Sequence, residues 1–352
     1  MAPLIHELKK REEICCTVCV SAQHREMLDR TLAVFGITPD YDLDIMEKDQ
    51  SLSHITTKVL NGVDRVIKQA DPHILLVHGD TSTAFAAALS AFYNRVPLGH
   101  VEAGLRTNDR YSPYPEEINR RFISSVSEMD FAPTAKSRDN LILEGKDPES
   151  IFVTGNTVVD ALNYTVKESY SDEILDWAAG SRLIILTAHR RESMGDTMQG
   201  MLRACAEVCS SYEDTKILFP VHPNPRLLEA VHGIFNHNDR ILLTEPLEAD
   251  RFHNIMKRAC VILTDSGGIQ EEATALSKPV LVLRNTTERP EGIDAGTLTV
   301  AGTDESNIKK ALISFLEGDD LSEKAKNAKN PYGDGCASGR IADAIIERFN
   351  RP

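Results

Sequence analysis

Short, continuous apolar runs recur along the chain, separated by polar stretches with helical spacing. The runs at 14–20 (ICCTVCV), 73–78 (HILLVH), 97–102, 130–134 and 151–155 form a first series. A second follows at 182–187, 216–222, 240–244, 260–265, 279–283 and 297–301. Runs of this length without alternation fit strands covered on both faces. Helical patterns fill the gaps at 23–35, 53–70, 81–94, 157–170, 249–259 and 338–350. Strands alternating with helices predict parallel sheets. The expected fold is α/β, with two Rossmann-like parallel-sheet domains and a cleft between them. The pattern divides into an N-terminal domain over 1–170, a C-terminal domain over 171–337 and a last helix over 338–352. That helix is expected to pack back on the N-terminal domain.

Composition narrows the function. The 352 residues are 41% hydrophobic and carry a net charge of −14. Such a charge disfavours general binding to nucleic acid or to an anionic membrane. No apolar run approaches the roughly 20 residues that span a bilayer. Of seven cysteines, Cys15, Cys16 and Cys19 share the first apolar run. No second Cys/His pair at ligand spacing accompanies them, so reduced thiols in a buried strand are expected rather than a metal site. An odd cysteine count without a signal peptide predicts a cytoplasmic protein.

Open parallel sheets bind ligands outside the carboxyl ends of their strands. Gly79-Asp80-Thr81 follows the 73–78 run, and "EAGLRTNDRYSPYPEEINRR", containing Glu102, Glu116 and Glu117, surrounds and follows the end of the next. His189-Arg190-Arg191-Glu192 and His222-Pro223-Asn224 hold similar places in the second series. Each has a plainer alternative. Asp80 suits a helix cap. Glu116 and Glu117 after Pro115 suit first-turn acids that complement a helix dipole. Either histidine suits a satisfied core position, and "ERPEG" at 288–292 suits a loop. The stretch "TDSGGIQEEA" is more pointed. Ser266, Gly267 and Gly268 stand where a helix begins, and bare glycines let phosphate oxygens approach its N–H groups. Glu272, one turn on, can reach a ribose hydroxyl. A nucleoside diphosphate fits this arrangement; a tight strand–helix turn is its plainer alternative, since the spacing is neither G-x-G-x-x-G nor that of a P-loop.

As a set, "LVHGDT", "GHVEAGLRT", "YSPYPEEINRR", "FVTGNTVVDAL", "TAHRRES", "PVHPNP", "LTDSGGIQEEA", "VLRNTTERPEG" and "NPYGDG" resemble the bacterial non-hydrolysing UDP-N-acetylglucosamine 2-epimerases. The resemblance runs from Met1 to the final helix. It implies the two-domain GT-B fold of many glycosyltransferases and a cytoplasmic homodimer. The implied activity interconverts UDP-N-acetylglucosamine and UDP-N-acetylmannosamine for envelope polysaccharides. It further implies that Ser266, Gly267 and Gly268 hold the diphosphate, Glu272 the ribose and Arg289 the anionic part of the ligand. Leu247 and Phe252 would lie against uracil. Asp80, Glu102, Glu116 and His189 would be catalytic. Gln23, Arg190 and His222 would serve a second substrate molecule acting as activator. Neither a metal nor another cofactor is implied. A glycosyltransferase, a hydrolysing epimerase and an inactive UDP-sugar binder are the competing readings.

The resemblance also implies a strand and a loop reading like GTRPE ahead of the helix that begins at Met1. That loop carries two cations toward the nucleotide phosphates, and charge-assisted contacts contribute about 1.5–3 kcal/mol each. Met1–Pro352 is therefore expected to turn over weakly. Assayed beside a version with that segment restored, it should be clearly slower; equal rates would contradict the expectation.

Overall fold

The computed structural model describes residues 1–23, 25–47, 50–188, 195–221, 225–235, 238–318 and 321–350. The chain forms two compact units, one of Met1–Tyr164 with Tyr332–Pro352 and one of Thr165–Pro331.

In the first unit the strands are β1 (Cys19–Val20), β2 (Tyr41–Asp42), β3 (Leu75–His78), β4 (Leu98–Val101), β5 (Met129–Ala132) and β6 (Ile151–Val153). β1 and β2 pair with each other, while β3-β4-β5-β6 form a separate parallel sheet. β4 and β5 are buried along their whole length, as their unbroken apolar character requires. Against one face pack the helices Leu52–Ala70 and Ser82–Tyr93, through Ile55, Val59, Val63, Ala84, Ala88 and Ala91. The small side chains of the second helix let the layers approach closely. The other face receives Leu4 and Leu8 of the helix Ala2–Lys9 and Ile341 and Ile345 of the helix Ala337–Asn350. The last helix is tied down at its start, where Asp160 accepts bonds from the N–H groups of Ala337 at 3.0 Å and Ser338 at 2.6 Å. Just before it, the chain passes Gly155 so closely that a Cβ there would lie 3.2 Å from Gly333 Cα. The Asn156 N–H donates to the Tyr332 carbonyl across this contact, at 2.7 Å.

The second unit holds β7 (Arg182–Thr187), β8 (Thr215–Pro220), β9 (Ile241–Thr244), β10 (Val261–Thr264), β11 (Val280–Val282) and β12 (Leu298–Val300). All are parallel, in the order β9-β8-β7-β10-β11-β12. Counted from β7, this is the doubly wound order 3-2-1-4-5-6, whose direction reverses between β7 and β10. Successive residues of β7 feed opposite cores: Ile184 and Leu186 one, Leu183 and Ile185 the other. A run buried on both faces has no polar alternation, which is why it reads as solid apolar sequence.

Two sequence expectations need correction. The 14–20 run is not a buried strand; only Cys19–Val20 pairs, with a two-residue partner, and Cys15 and Cys19 are exposed while Cys16 is half-buried. Without a ladder on both sides, β-branched residues alone do not draw the segment into a core. All seven cysteines are free thiols. The helix expected over 157–170 ends at Thr165; beyond it, the Lys167 N–H bonds the Asn254 side chain at 2.9 Å instead of continuing the helical ladder. Among the described residues no helix is long and apolar enough to cross a membrane.

Asp160→Ala removes both charge-assisted bonds at the start of the last helix and should destabilise the protein by about 2–3 kcal/mol. Urea unfolding followed by circular dichroism measures this; an unchanged midpoint would show that the helix docks without the cap.

Candidate active site

In the first unit the polar groups gather where β3 and β4 end. Asp80 follows β3, but it does not cap the next helix. Thr81 does so, its hydroxyl accepting the Ala84 N–H at 3.1 Å. The Asp80 carboxylate turns to Arg120, whose Nε and Nη2 donate to Oδ2 at 3.2 and 2.5 Å. Its backbone carbonyl accepts from Asn119 Nδ2 at 2.9 Å. Asn119 and Arg120 lie on the helix Glu116–Val126. Glu116, half-buried, opens that helix one turn before Arg120. Side chains three or four residues apart share a helix face, so Glu116 stands on the side of the helix that reaches Asp80.

Glu117 has a different task. Fully buried, it accepts the N–H groups of Thr107 and Asn108 at 3.0 and 3.2 Å and a bond from Arg120 Nη1 at 3.1 Å. It anchors the 105–115 loop and orients the guanidinium that grips Asp80. Glu102, directly after β4, has φ +65°. A non-glycine residue held in the left-handed region costs of order 1–3 kcal/mol. Asn156 Nδ2 donates to Glu102 Oε2 at 2.8 Å. Gln23 Oε1 accepts at 2.9 Å from the hydroxyl of Thr83, three residues after Asp80.

In the second unit Ser266 precedes the helix Gly267–Ala275, which leaves the carboxyl end of β10 at the switch point. The Ser266 side chain makes no capping bond there. The two glycines differ in purpose. A Cβ on Gly267 would meet Arg289 Nη1 at 2.4 Å and Glu288 Oε1 at 2.8 Å, whereas one on Gly268 would meet nothing within 4 Å. Gly267 therefore makes room for Arg289, and Gly268 leaves the helix start bare. Arg289 is buried, donating from Nε to Glu271 at 2.8 Å and from Nη1 to Glu288 at 2.6 Å. Arg284 bonds the other oxygen of Glu288 at 2.7 Å. Two arginines and two glutamates are thus linked beside the glycines.

Glu272 is mostly buried one turn into the helix, with His253 Nε2 at 3.5 Å from its Oε2. The Nδ1 of His253 and the Thr165 hydroxyl are 2.8 Å apart, which fixes the ring. Leu247 and Phe252 are half-buried and pack against the core on that face of the sheet. "ERPEG" is not a bare loop; Pro290–Asp294 is helical, with Arg289 at its N-cap. His189, Arg190 and His222 lie outside the described residues. Among the described residues no group of three or more His, Cys, Asp or Glu could hold a metal ion.

Sequence reasoning missed Arg120, Asn119, Asn156, His253, Glu271 and Glu288. Arg120 had a readable signal, lying four residues after Glu116 in a helical stretch. The pairing of Glu271 with Arg289 had none, since it spans 18 residues and two elements.

The family model for UDP-N-acetylglucosamine 2-epimerase matches residues 6–346. The Bacillus subtilis protein named UDP-N-acetylglucosamine 2-epimerase is 51% identical over 349 residues, covering 99% of this chain and 92% of that protein. The crystal structure of UDP-GlcNAc 2-epimerase from Neisseria meningitidis bound to UDP-GlcNAc superposes with a TM-score of 0.94 at 42% identity, covering 99% of this chain and 96% of that one. The S. aureus MnaA–UDP co-structure gives 0.95 at 46% identity, with 99% and 93% covered. Two parallel α/β units carrying these strand-end groups, with similarity over nearly the whole length, lead to one conclusion: the chain belongs to the UDP-N-acetylglucosamine 2-epimerase family of isomerases.

Proposed function

We propose that the chain interconverts UDP-N-acetylglucosamine and UDP-N-acetylmannosamine by eliminating UDP and adding it back. C2 of the sugar has no neighbouring carbonyl to acidify its proton, so removal of that proton must be coupled to loss of the group on C1. The C1–O bond breaks with its electron pair leaving on UDP. A base takes the C2 proton, and its C–H electrons form the C1=C2 bond of a 2-acetamidoglucal. In the return step the UDP oxygen attacks C1 while an acid delivers a proton to the opposite face of C2. The sequence needs a base, an acid and anionic groups beside an oxocarbenium-like sugar. It also needs a seat that keeps UDP for return.

The observation that carries this reading is the pair of carboxylates at the ends of adjacent strands β3 and β4. Asp80 is pinned by Arg120, and Glu102 is bonded to Asn156 in a strained backbone. In this reading Asp80, Glu102, Glu116 and His189 exchange the protons. Ser266, Gly267 and Gly268 seat the diphosphate, Glu272 takes the ribose, and Leu247 and Phe252 flank the uracil. Arg289 supports that seat from beside Gly267 and faces the ligand's anionic part. Gln23, Arg190 and His222 would serve an activating second substrate molecule, in a cytoplasmic homodimer.

Incubation with UDP-N-acetylglucosamine in deuterium oxide, followed by NMR, tests the chemistry. Deuterium should enter C2 with both epimers still attached to UDP, and Asp80→Asn and Glu116→Gln should each abolish uptake in a folded protein. Free sugar would indicate hydrolysis instead, and no exchange would remove the epimerase reading. The seat is tested separately. Gly268→Ala should keep the melting temperature yet lose at least about tenfold in UDP affinity by calorimetry, because the methyl covers the bare amides. Gly267→Ala should lose about 1–3 kcal/mol of stability by overpacking against Arg289. Unchanged UDP affinity in Gly268→Ala would place the phosphates elsewhere.

A further inference from the structure

We propose that His100 is a positioning residue for the epimerisation, fixing the Gly79–Asp80 turn from behind while Asp130 and Lys146 secure its surroundings. The inference rests on the reading of Asp80 as a reacting carboxylate.

His100 lies on β4, between β3 and β5, and is fully buried. Its Nε2 stands 2.8 Å from the Gly79 carbonyl oxygen. A carbonyl only accepts, so Nε2 carries the hydrogen. Burial pulls the imidazole's pKa down, against the opposing pull of Asp130, so the ring is neutral and Nδ1 is bare. Nδ1 faces Asp130 Oδ1 at 3.8 Å and has no hydrogen-bond partner among the described residues. Asp130 is itself held, by the Ser127 hydroxyl at 2.7 Å and by Lys146 Nζ at 2.9 Å. Lys146 also donates to the carbonyls of Ser124 at 3.0 Å and Ser127 at 2.6 Å.

Nothing in the packing of a parallel sheet requires an imidazole or an ion pair at this depth. Apolar residues of similar volume would often be as stable. What the imidazole adds is a donor aimed at one carbonyl. The Gly79 N–H already bonds the Val101 carbonyl at 2.9 Å, and the Asp80 carbonyl bonds Asn119 at 2.9 Å. With His100 on the Gly79 carbonyl, the peptide units before and after Asp80 are both held. The carboxylate is then fixed by its backbone as well as by Arg120. A displacement of about 1 Å at a reacting group can cost on the order of 10²-fold in rate.

The amide of glutamine can take the place of Nε2, whereas that of asparagine reaches only the place of Nδ1. His100→Gln should therefore keep kcat within about threefold. His100→Asn and His100→Leu should lower kcat by about 10- to 100-fold, with KM within about twofold and UDP affinity by calorimetry unchanged. Wild-type kcat in His100→Leu, or equal kcat in the Asn and Gln variants, would overturn the inference. So would a loss of UDP affinity matching the loss of kcat. If the leucine variant does not fold, the Gln–Asn comparison decides. Asp80→Asn in parallel separates the two failures. Retained deuterium uptake there removes the functional reading. Uptake lost there beside a fully active His100→Leu removes only the role of His100.

Discussion

Parallel pairing puts the carboxyl end of every strand on the same edge of its sheet, and the placement of the strand-end polar groups follows from that constraint. In the first unit β3 and β4 are direct neighbours, so the residues that follow them, Asp80 and Glu102, emerge side by side. In the second unit β7 and β10 meet where the winding reverses, and the helix that leaves β10 begins with two glycines. Neither arrangement depends on a long loop finding its place. The sheet core, built from residues such as Ile184, Leu186, Val261 and Leu263 with essentially no exposure, sets the position of the backbone that continues past β10 into the helix start at Ser266–Gly268.

Asp80 and Glu102 are each held by a neighbouring side chain. Arg120 holds Asp80, and Glu117 holds Arg120. Asn156 holds Glu102, and the Tyr332 carbonyl holds Asn156 by its backbone. This last link reaches residues far apart in sequence, and it shows what the "NPYGDG" segment contributes. The close approach of Gly155 and Gly333 allows the 2.7 Å backbone bond, and the C-terminal return of the chain thereby bears on a strained glutamate. Glu102 keeps its left-handed conformation because several elements specify it together.

The fold class and the strands of both main sheets were legible because a strand covered on both faces leaves a solid apolar run. The glycine-rich helix start was legible because two bare residues directly after an apolar run mark a strand-to-helix turn, whereas the room that Gly267 makes for Arg289 was not. What stayed hidden were pairings. The capping reading of Asp80 was reasonable from its position, yet Thr81 is equally able to cap and stands one residue nearer the helix. Only the approach of the 116–126 helix decides that the carboxylate turns to Arg120. The cysteine run failed for a related reason. Its β-branched composition resembles a core strand, but burial depends on neighbours on both sides, and β1 pairs only with the short β2. Local pattern reports what a segment can do, and tertiary contact selects among the options.

The buried charges show where that selection is concentrated. Taking charges out of water costs several kcal/mol per ion, and an apolar substitute is often no less stable. Yet Arg284, Glu271, Glu288 and Arg289 are all buried beside Gly267, and Glu117 and Arg120 beside Asp80. Both networks border the strand ends that carry the conspicuous motifs. Such a distribution is poorly explained by stability alone. It is explained if the cost is tolerated for orientation, since a buried, fully bonded guanidinium has one position, whereas a solvated one has many. Arg289 makes the case most sharply. Its place is reserved by the absence of a side chain on Gly267, a concession that weakens the helix intrinsically. The sequence accepts a poorer helix start to seat one arginine, and the neighbouring Gly268 leaves that same start bare.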